Sequence, residues 1–408
     1  VAYGSSLHRT LIPAYTTETA TLKFPIYHYN NIYASVTLTA GDTLAISVKN
    51  GDGQLSSAKT WTVPTEANWD TAGAGLVASW ERAGFDGDGD GTGNTEKDCD
   101  LPALGADPER VDVFVQVDYM QIPSGDGSGA WITSEPTTEA WGMLEKAFAV
   151  APLISLSALD GIRLHVDHGQ STYVDAAGAT IAIPTQEIMG GRIAEYAPYI
   201  LFNGLAVAFD PDASFQNFYD IKASFFNKTR RAEIFHYCVF ASMSGHERGG
   251  SGKGEFTGND FYVTLDQVQL GFSGHVAGVF MHELGHNLGL HHGGNDEERM
   301  EPNHQSVMSV YGNYFIAGVD IDCDAAGDGV YAFSPGMLKD LDESALLETT
   351  GTCNGVWVDF DADGERDEAP VAVELSDVSS ADMGDHLLDD HDNWGNLAFD
   401  INWDEWDD

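Results

Sequence analysis

Positive charge is what this sequence most lacks. It sets 19 Lys and Arg against 64 Asp and Glu across 408 residues, for a net charge of −45 and a pI near 4.2. A surface so acidic repels a phosphate backbone, which excludes nucleic-acid binding, and anionic lipid repels it equally. Long apolar runs are missing too. No stretch approaches the roughly 18 apolar residues of a membrane-spanning helix, so no span is expected. Cysteine is scarce. Cys99, Cys238, Cys323 and Cys353 are too few for a disulfide scaffold, though an even number permits bridges in an exported protein. Cys238 lies in an apolar run and reads equally well as a buried thiol. The sequence starts at Val1 rather than Met and shows no basic and apolar signal peptide, so a processed or trimmed form is expected.

What is present supports a folded body. Hydrophobic residues make up 43% of the chain, enough to bury a core, and the length suits two domains or one large domain with appendages. The acids are spread along the chain and are densest toward its end. Dispersed acid with few lysines is what adaptation to molar salt produces, where the Debye length falls to about 3 Å and self-repulsion is screened. A calcium-loaded extracellular protein has the same appearance, and the two readings are compatible.

Three zones are legible. Residues 1–78 are β-rich: 34–40 alternates, 42–48 follows a Gly-Asp turn and 59–63 makes a third short strand. Residues 79–345 turn to an α/β pattern. Strongly apolar strands are expected at 111–118, 161–167 and 232–240. A helix from Pro136 presents Trp141, Leu144 and Phe148 at core spacing, and another is expected over 213–229. The first strand, helix and second strand make a βαβ unit with parallel pairing. A glycine-rich loop, 249–254, leads to an edge strand at 260–265, to which an extended peptide can add by β-augmentation. Residues 346–408 form an acidic C-terminal segment. The expected fold class is α+β: a twisted, mostly parallel sheet with an antiparallel edge strand, packed on one helix that carries the chemistry, plus the β-rich N-terminal region.

That helix holds the stretch His282-Glu-Leu-Gly-His-Asn-Leu-Gly-Leu-His-His292, of the form H-E-x-x-H-x-x-G-x-x-H. Val276, Phe280, Leu284 and Leu288 recur every four residues and face the sheet, which turns His282 and His286 toward another face, one above the other. Gly289 can take a positive φ and end the helix, so the chain doubles back and delivers His292 from below. Three neutral imidazoles leave one tetrahedral position open for water, as in catalytic rather than structural zinc. Glu283 does not share the metal. Its role is general base, taking a proton from zinc-bound water and passing it to a leaving amine. His291 rivals His292 by proximity, but spacing favours His292.

The motif resembles that of the metzincin clan of zinc metallopeptidases, and the resemblance requires a methionine downstream. Met308, sixteen residues after His292, looks like the Met-turn beneath the metal. Some members add a tyrosine ligand two residues after that methionine. Here Val310 holds the place, so a direct tyrosine–zinc bond is not expected, and Tyr311 or Tyr314 is left an accessory role at the oxyanion. Stretches 100–108, 113–120, 163–167 and 235–237 are similar to segments of secreted prokaryotic zinc metalloproteases with calcium-type Asp-Gly loops. The resemblance covers about residues 80–400 and implies a secreted, monomeric zinc metalloendopeptidase of a halophile, acting on polypeptide substrates, with zinc and calcium as its metals. The alternative is a calcium-stabilised, non-proteolytic surface or matrix protein with a vestigial zinc site.

Two stretches open like calcium loops, with carboxylates at alternate positions and then a glycine for the sharp turn. Asp86, Asp88 and Asp90 precede Gly91; Asp359, Asp361 and Asp363 precede Gly364, with Asp367 beyond. Both lack the bidentate glutamate at the twelfth position, where Lys97 and Pro370 stand. His165, Asp167 and His168 make a polar cluster at a strand end, either another metal site or, more simply, ordinary hydrogen-bonded side chains. Cys99 could block the zinc in a latent form, although a disulfide is the simpler role. Asn227 opens an Asn-Lys-Thr sequon. In the acidic tail, Trp394, Leu397, Phe399, Trp403 and Trp406 are expected to dock on the body rather than trail free.

Overall fold

The body is built about one long strand, Val111–Pro123 (β1), whose first ten residues are all buried. A strand covered on both faces reads as a near-continuous apolar run rather than an alternation, which is why it stands out in the sequence. The computed structural model describes residues 98–399 except 125–126, 154–159, 176, 203–214, 242, 244–249, 321–326, 354, 374 and 376–386. It also describes 70, 72, 75–86 and four strands within 19–62. Those four strands make two antiparallel pairs, Thr19–Pro25 with Asn31–Thr37 and Thr43–Ile46 with Lys59–Thr62, in the region read as β-rich.

After β1 the described elements that position the site are Trp131–Thr133 (β2), Thr138–Ala149 (α1), Ile162–Asp167 (β3), Ile193–Ala194 (β4) and Phe218–Phe225 (α2). Phe235–Ala241 (β5), Gly252–Gly254 (β6), Asp260–Thr264 (β7) and Ser273–Asn287 (α3) follow. The sheet runs β4-β1-β5-β7-β6, and β3 pairs with the first half of β1. Pairings among β1, β3, β4, β5 and β7 are parallel, while β6 runs antiparallel to β7 and β2 to the end of β1. A mixed α/β body with a mostly parallel sheet is therefore present.

Alternate residues divide the sheet between two cores. Val113, Val115, Val117, Phe240, Phe261 and Val263 face α1 and α3, against Trp141, Leu144, Phe148, Phe280 and Leu284. Phe114, Phe235, Tyr237, Val239 and Tyr262 face the other way, toward Phe218 and Ile221 of α2. Thr137 caps α1 by accepting the Ala140 N–H, next to Pro136 where the sequence places the helix start.

Two expectations need correction. Residues 260–265 are not the edge: β7 lies inside, because the glycine-rich loop folds back and sets Gly252 opposite Val263 and Gly254 opposite Phe261. Three residues, two of them glycine, give no hydrophobic signal to read. The helix expected over 213–229 is two pieces, α2 and the short Lys228–Arg231, because the Asn227 side chain accepts from the Arg230 N–H and starts a new turn.

Of the C-terminal aromatics, Trp394 and Phe399 do dock. Trp394 is buried, with its ring 5.5 Å from Phe148 and 4.9 Å from Phe333, while Leu397 and Phe399 pack against the same core. Trp403 and Trp406 lie outside the described residues. Cys353 is disulfide-bonded, whereas Cys99 and Cys238 are free and buried. The disulfide expected of Cys99 is thus absent, and burial pushes its thiol up to about 12. A thiol held so firmly protonated is a poor ligand for zinc.

Candidate metal centre

α3 delivers its histidines from inside the protein. Val276, Phe280, Leu284 and Leu288 are buried against the sheet as their spacing implies, but Val279, Met281 and Gly285 are buried as well. The helix is covered on several sides, and the second side is the turn bearing Met308. A Cβ on Gly285 would lie 2.4 Å from the Met308 sulfur, so glycine is what lets the turn approach. The helix then stops as the sequence predicts. Gly289 sits at φ +88°, the Leu290 N–H donates to the Gly285 carbonyl, and the Gly289 N–H donates to His286. This is a Schellman ending, which turns the chain back beneath the helix.

His282, His286 and His292 consequently meet. One ring nitrogen from each lies within 4.8 Å of the others, and the ring centroids are 4.8 to 5.3 Å apart. Two of the tautomers are set by hydrogen bonds. His282 Nδ1 is 2.7 Å from the Val307 carbonyl and His286 Nδ1 is 2.8 Å from the Leu290 carbonyl, so each Nδ1–H donates and each Nε2 lone pair is free. Burial, then the neighbouring imidazoles, lower the pKa of His282 to about 4, of His286 to about 3 and of His292 to about 4. All three are neutral at pH 7, the form that ligates. His291 turns elsewhere: it pairs with Glu297 at 2.7 Å and stacks on Phe256.

Glu283 is buried beside the triad, and its carboxylate lies against the edge strand. A Cβ on Gly252 would come within 2.6 Å of Glu283 Oε1, and one on Gly254 within 2.5 Å of the Glu283 carbonyl oxygen. The Gly-Lys-Gly of β6 is therefore a component of the site, although two glycines in three residues carry only a loop's signal in the sequence. Met308 is fully buried beneath, and Val307, its neighbour, supplies the carbonyl that orients His282. Tyr311 and Tyr314 face each other, rings 6.4 Å apart, and burial together with Asp320 raises both phenol pKa values. The aromatic ring against His282 is that of Phe315, at 5.4 Å.

The other sequence candidates divide. Asp88 and Asp90 lie outside the described residues; Asp86 is within them. In the second acidic loop Asp361, Asp363 and Asp367 converge, and Asp359 and Asp361 converge with Glu348. Glu348 is fully buried and accepts the Phe360 and Asp367 N–H groups, at 2.8 and 2.9 Å. It brings to the loop a carboxylate that position 370 lacks, from a distance in sequence that no loop pattern includes. His165, Asp167 and His168 do not form one site. His165 bonds Asp112 at 2.7 Å, Asp167 pairs with Arg231 at 2.7 Å, and His168 stacks on Trp141. Asn227 is half-buried and occupied in capping a helix. Among the described residues no helix is long and apolar enough to cross a membrane.

Comparison with known proteins adds nothing to this picture: no family model, no curated protein and no solved structure matches the chain significantly.

Proposed function

We propose that this chain is a secreted, zinc-dependent metalloendopeptidase of the metzincin type. The observation that carries the reading is the triad itself: three neutral imidazoles, two of them with Nδ1–H committed to backbone carbonyls, converging beside a buried glutamate. That donor set suits zinc and leaves a position free. Zinc, when bound by His282, His286 and His292, acidifies water and polarises a peptide carbonyl. The remaining work falls to the chain. Glu283 takes the proton of the attacking water and returns it to the leaving amine nitrogen. The edge strand Gly252–Gly254 offers main-chain groups to an extended polypeptide, which its pairing would hold next to Glu283. Tyr311 and Tyr314 keep their protons and are our accessory donors to the developing oxyanion. Calcium belongs to the Asp359–Asp367 loop with Glu348.

Glu283→Gln is the direct test. Cleavage of an unfolded protein such as casein should vanish while bound zinc stays near one per chain. Retention of full activity would refute the role of Glu283. A folded, zinc-loaded wild-type chain that cleaves no such substrate would instead favour the non-proteolytic surface or matrix protein.

A further inference from the structure

The loop that follows His292 contains an oxygen cluster that the zinc chemistry does not use. Its turn is closed by the Gly293 N–H donating to the Asp296 carbonyl and by paired bonds between His291 and Gly294. Three oxygens crowd the open face of Gly293, around the place a Cβ would take, and so lie close to one another there. Asp296 Oδ1 is 2.2 Å from that place, the Glu298 carbonyl oxygen 2.8 Å and Glu301 Oε2 2.9 Å. Glu301 is 2% exposed, and its Oε2 has no hydrogen-bond partner. The Asp389 N–H donates to the same carboxyl group. Burial and the charges of Asp296, Asp389 and Glu298 push the Glu301 carboxyl up to about 9. Asp389 is likewise raised, by burial and by Asp296.

We propose that Asp296, the Glu298 carbonyl and Glu301 bind a calcium ion that fixes His292 in place. The donors are all oxygen, mixing carboxylate with carbonyl, which suits a hard cation. Asp296 is exposed, so water can complete a shell of about six to eight oxygens. The ion would supply the cation that Glu301 Oε2 faces without a partner. Its effect on the third histidine runs through Glu297, which lies between two of the donors. Glu297 holds His291 at 2.7 Å and stands 3.6 Å from His292 Nδ1. His292 depends on that support more than its companions do, because its Nδ1 has no hydrogen bond. The coupling to zinc rests on the metalloprotease reading; the calcium site does not.

The test counts calcium on the full-length, zinc-loaded chain by calorimetric titration with calcium chloride, for wild type, Glu301→Gln and Asp361→Asn. Zinc affinity is then measured by competition with a chromophoric chelator, with and without calcium. Glu301→Gln should bind one calcium fewer than wild type, and so should the double variant relative to Asp361→Asn alone. Calcium should tighten zinc about tenfold in wild type and not in Glu301→Gln, the scale on which supporting groups tune a metal. Asp296→Asn, at an exposed position, gives the same reading if Glu301→Gln fails to fold. An unchanged calcium count in both variants overturns the site. A lowered count with zinc affinity still responding to calcium overturns the coupling. Neither readout needs proteolysis, so an inactive chain would refute the enzyme reading alone.

Discussion

Replacing Gly285 by alanine should destabilise the protein, although it removes a glycine from a helix interior. Propensity alone favours alanine there by about 1 kcal/mol. Gly142 in α1 supplies the reference: it is exposed and a Cβ on it meets no heavy atom within 4 Å, so Gly142→Ala should stabilise by about 0.5–1 kcal/mol. At Gly285 the added carbon meets the Met308 sulfur at 2.4 Å and the Phe333 ring at 3.0 and 3.2 Å. Neither neighbour can withdraw easily. Met308 is fully buried, and Phe333 is wedged against Phe148 and Trp394. Overpacking of this kind costs about 1–3 kcal/mol, which outweighs the propensity gain and leaves a net loss. The displacement also reaches Val307, whose carbonyl orients His282, so zinc should bind about tenfold more weakly. Denaturant midpoints of the metal-free proteins and a zinc competition assay measure the two effects. Should Gly285→Ala match Gly142→Ala in stability and wild type in zinc affinity, the Met308 turn does not buttress the helix.

Two further outcomes separate neighbouring residues and neighbouring charges. His292→Ala should lose zinc on dialysis while His291→Ala retains it, since His291 is engaged with Glu297 and Phe256; equal loss would mean the wrong histidine has been assigned. Burial, then the adjacent Asp112, raise Glu81 from 4.5 to about 9, so the folded state keeps a proton that the unfolded state releases between those values. The stability this gives is present below pH 4.5 and is lost as pH rises toward 9, by up to about 1.4 kcal/mol per pH unit. In the calcium-free protein, Glu81→Gln should flatten that decline by one proton's worth, with Glu301 still contributing its own; a slope unchanged from wild type would contradict the assignment.

What was readable in the sequence is what local geometry determines. Histidines four apart share a helix face, a following glycine reverses the chain, and strands buried on both sides appear as apolar runs; each depends on residues close in sequence. Parts that went unread depend on tertiary approach. The edge strand is two glycines and a lysine, chosen because β6 must lie against Glu283 and not for any propensity. Glu348 comes to the 359–367 loop, and Asp389 to Glu301, across separations that no motif spacing encodes. His291 and His292 differ only in where the returning loop aims them. Cys99 is a free, buried thiol, which cysteine parity alone does not reveal.

The scarcity of positive charge sharpens the role of the cations that are buried. Lys222, Arg230 and Arg231 lie inside, each on a carboxylate: Lys222 on Asp260 at 2.8 Å, Arg230 on Glu187 at 2.5 Å, Arg231 on Asp167 at 2.7 Å. Arg231 is fully buried over the Phe235 ring and also bonds Gln116 Oε1 at 2.9 Å, so it joins β1 to the end of β3. Removing it leaves Asp167 buried without its cation, a loss of about 3–5 kcal/mol. Dissolved salt screens exposed charges far more than buried ones. Arg231→Met should therefore cost the same in low and molar NaCl, while the wild-type unfolding temperature climbs steeply with salt as the acidic surface is screened. A flat wild-type response would reject salt adaptation. A cost of Arg231→Met that fades in molar salt would mean this pair acts as a surface charge, and that the cations inside hold the sheet no differently from those outside.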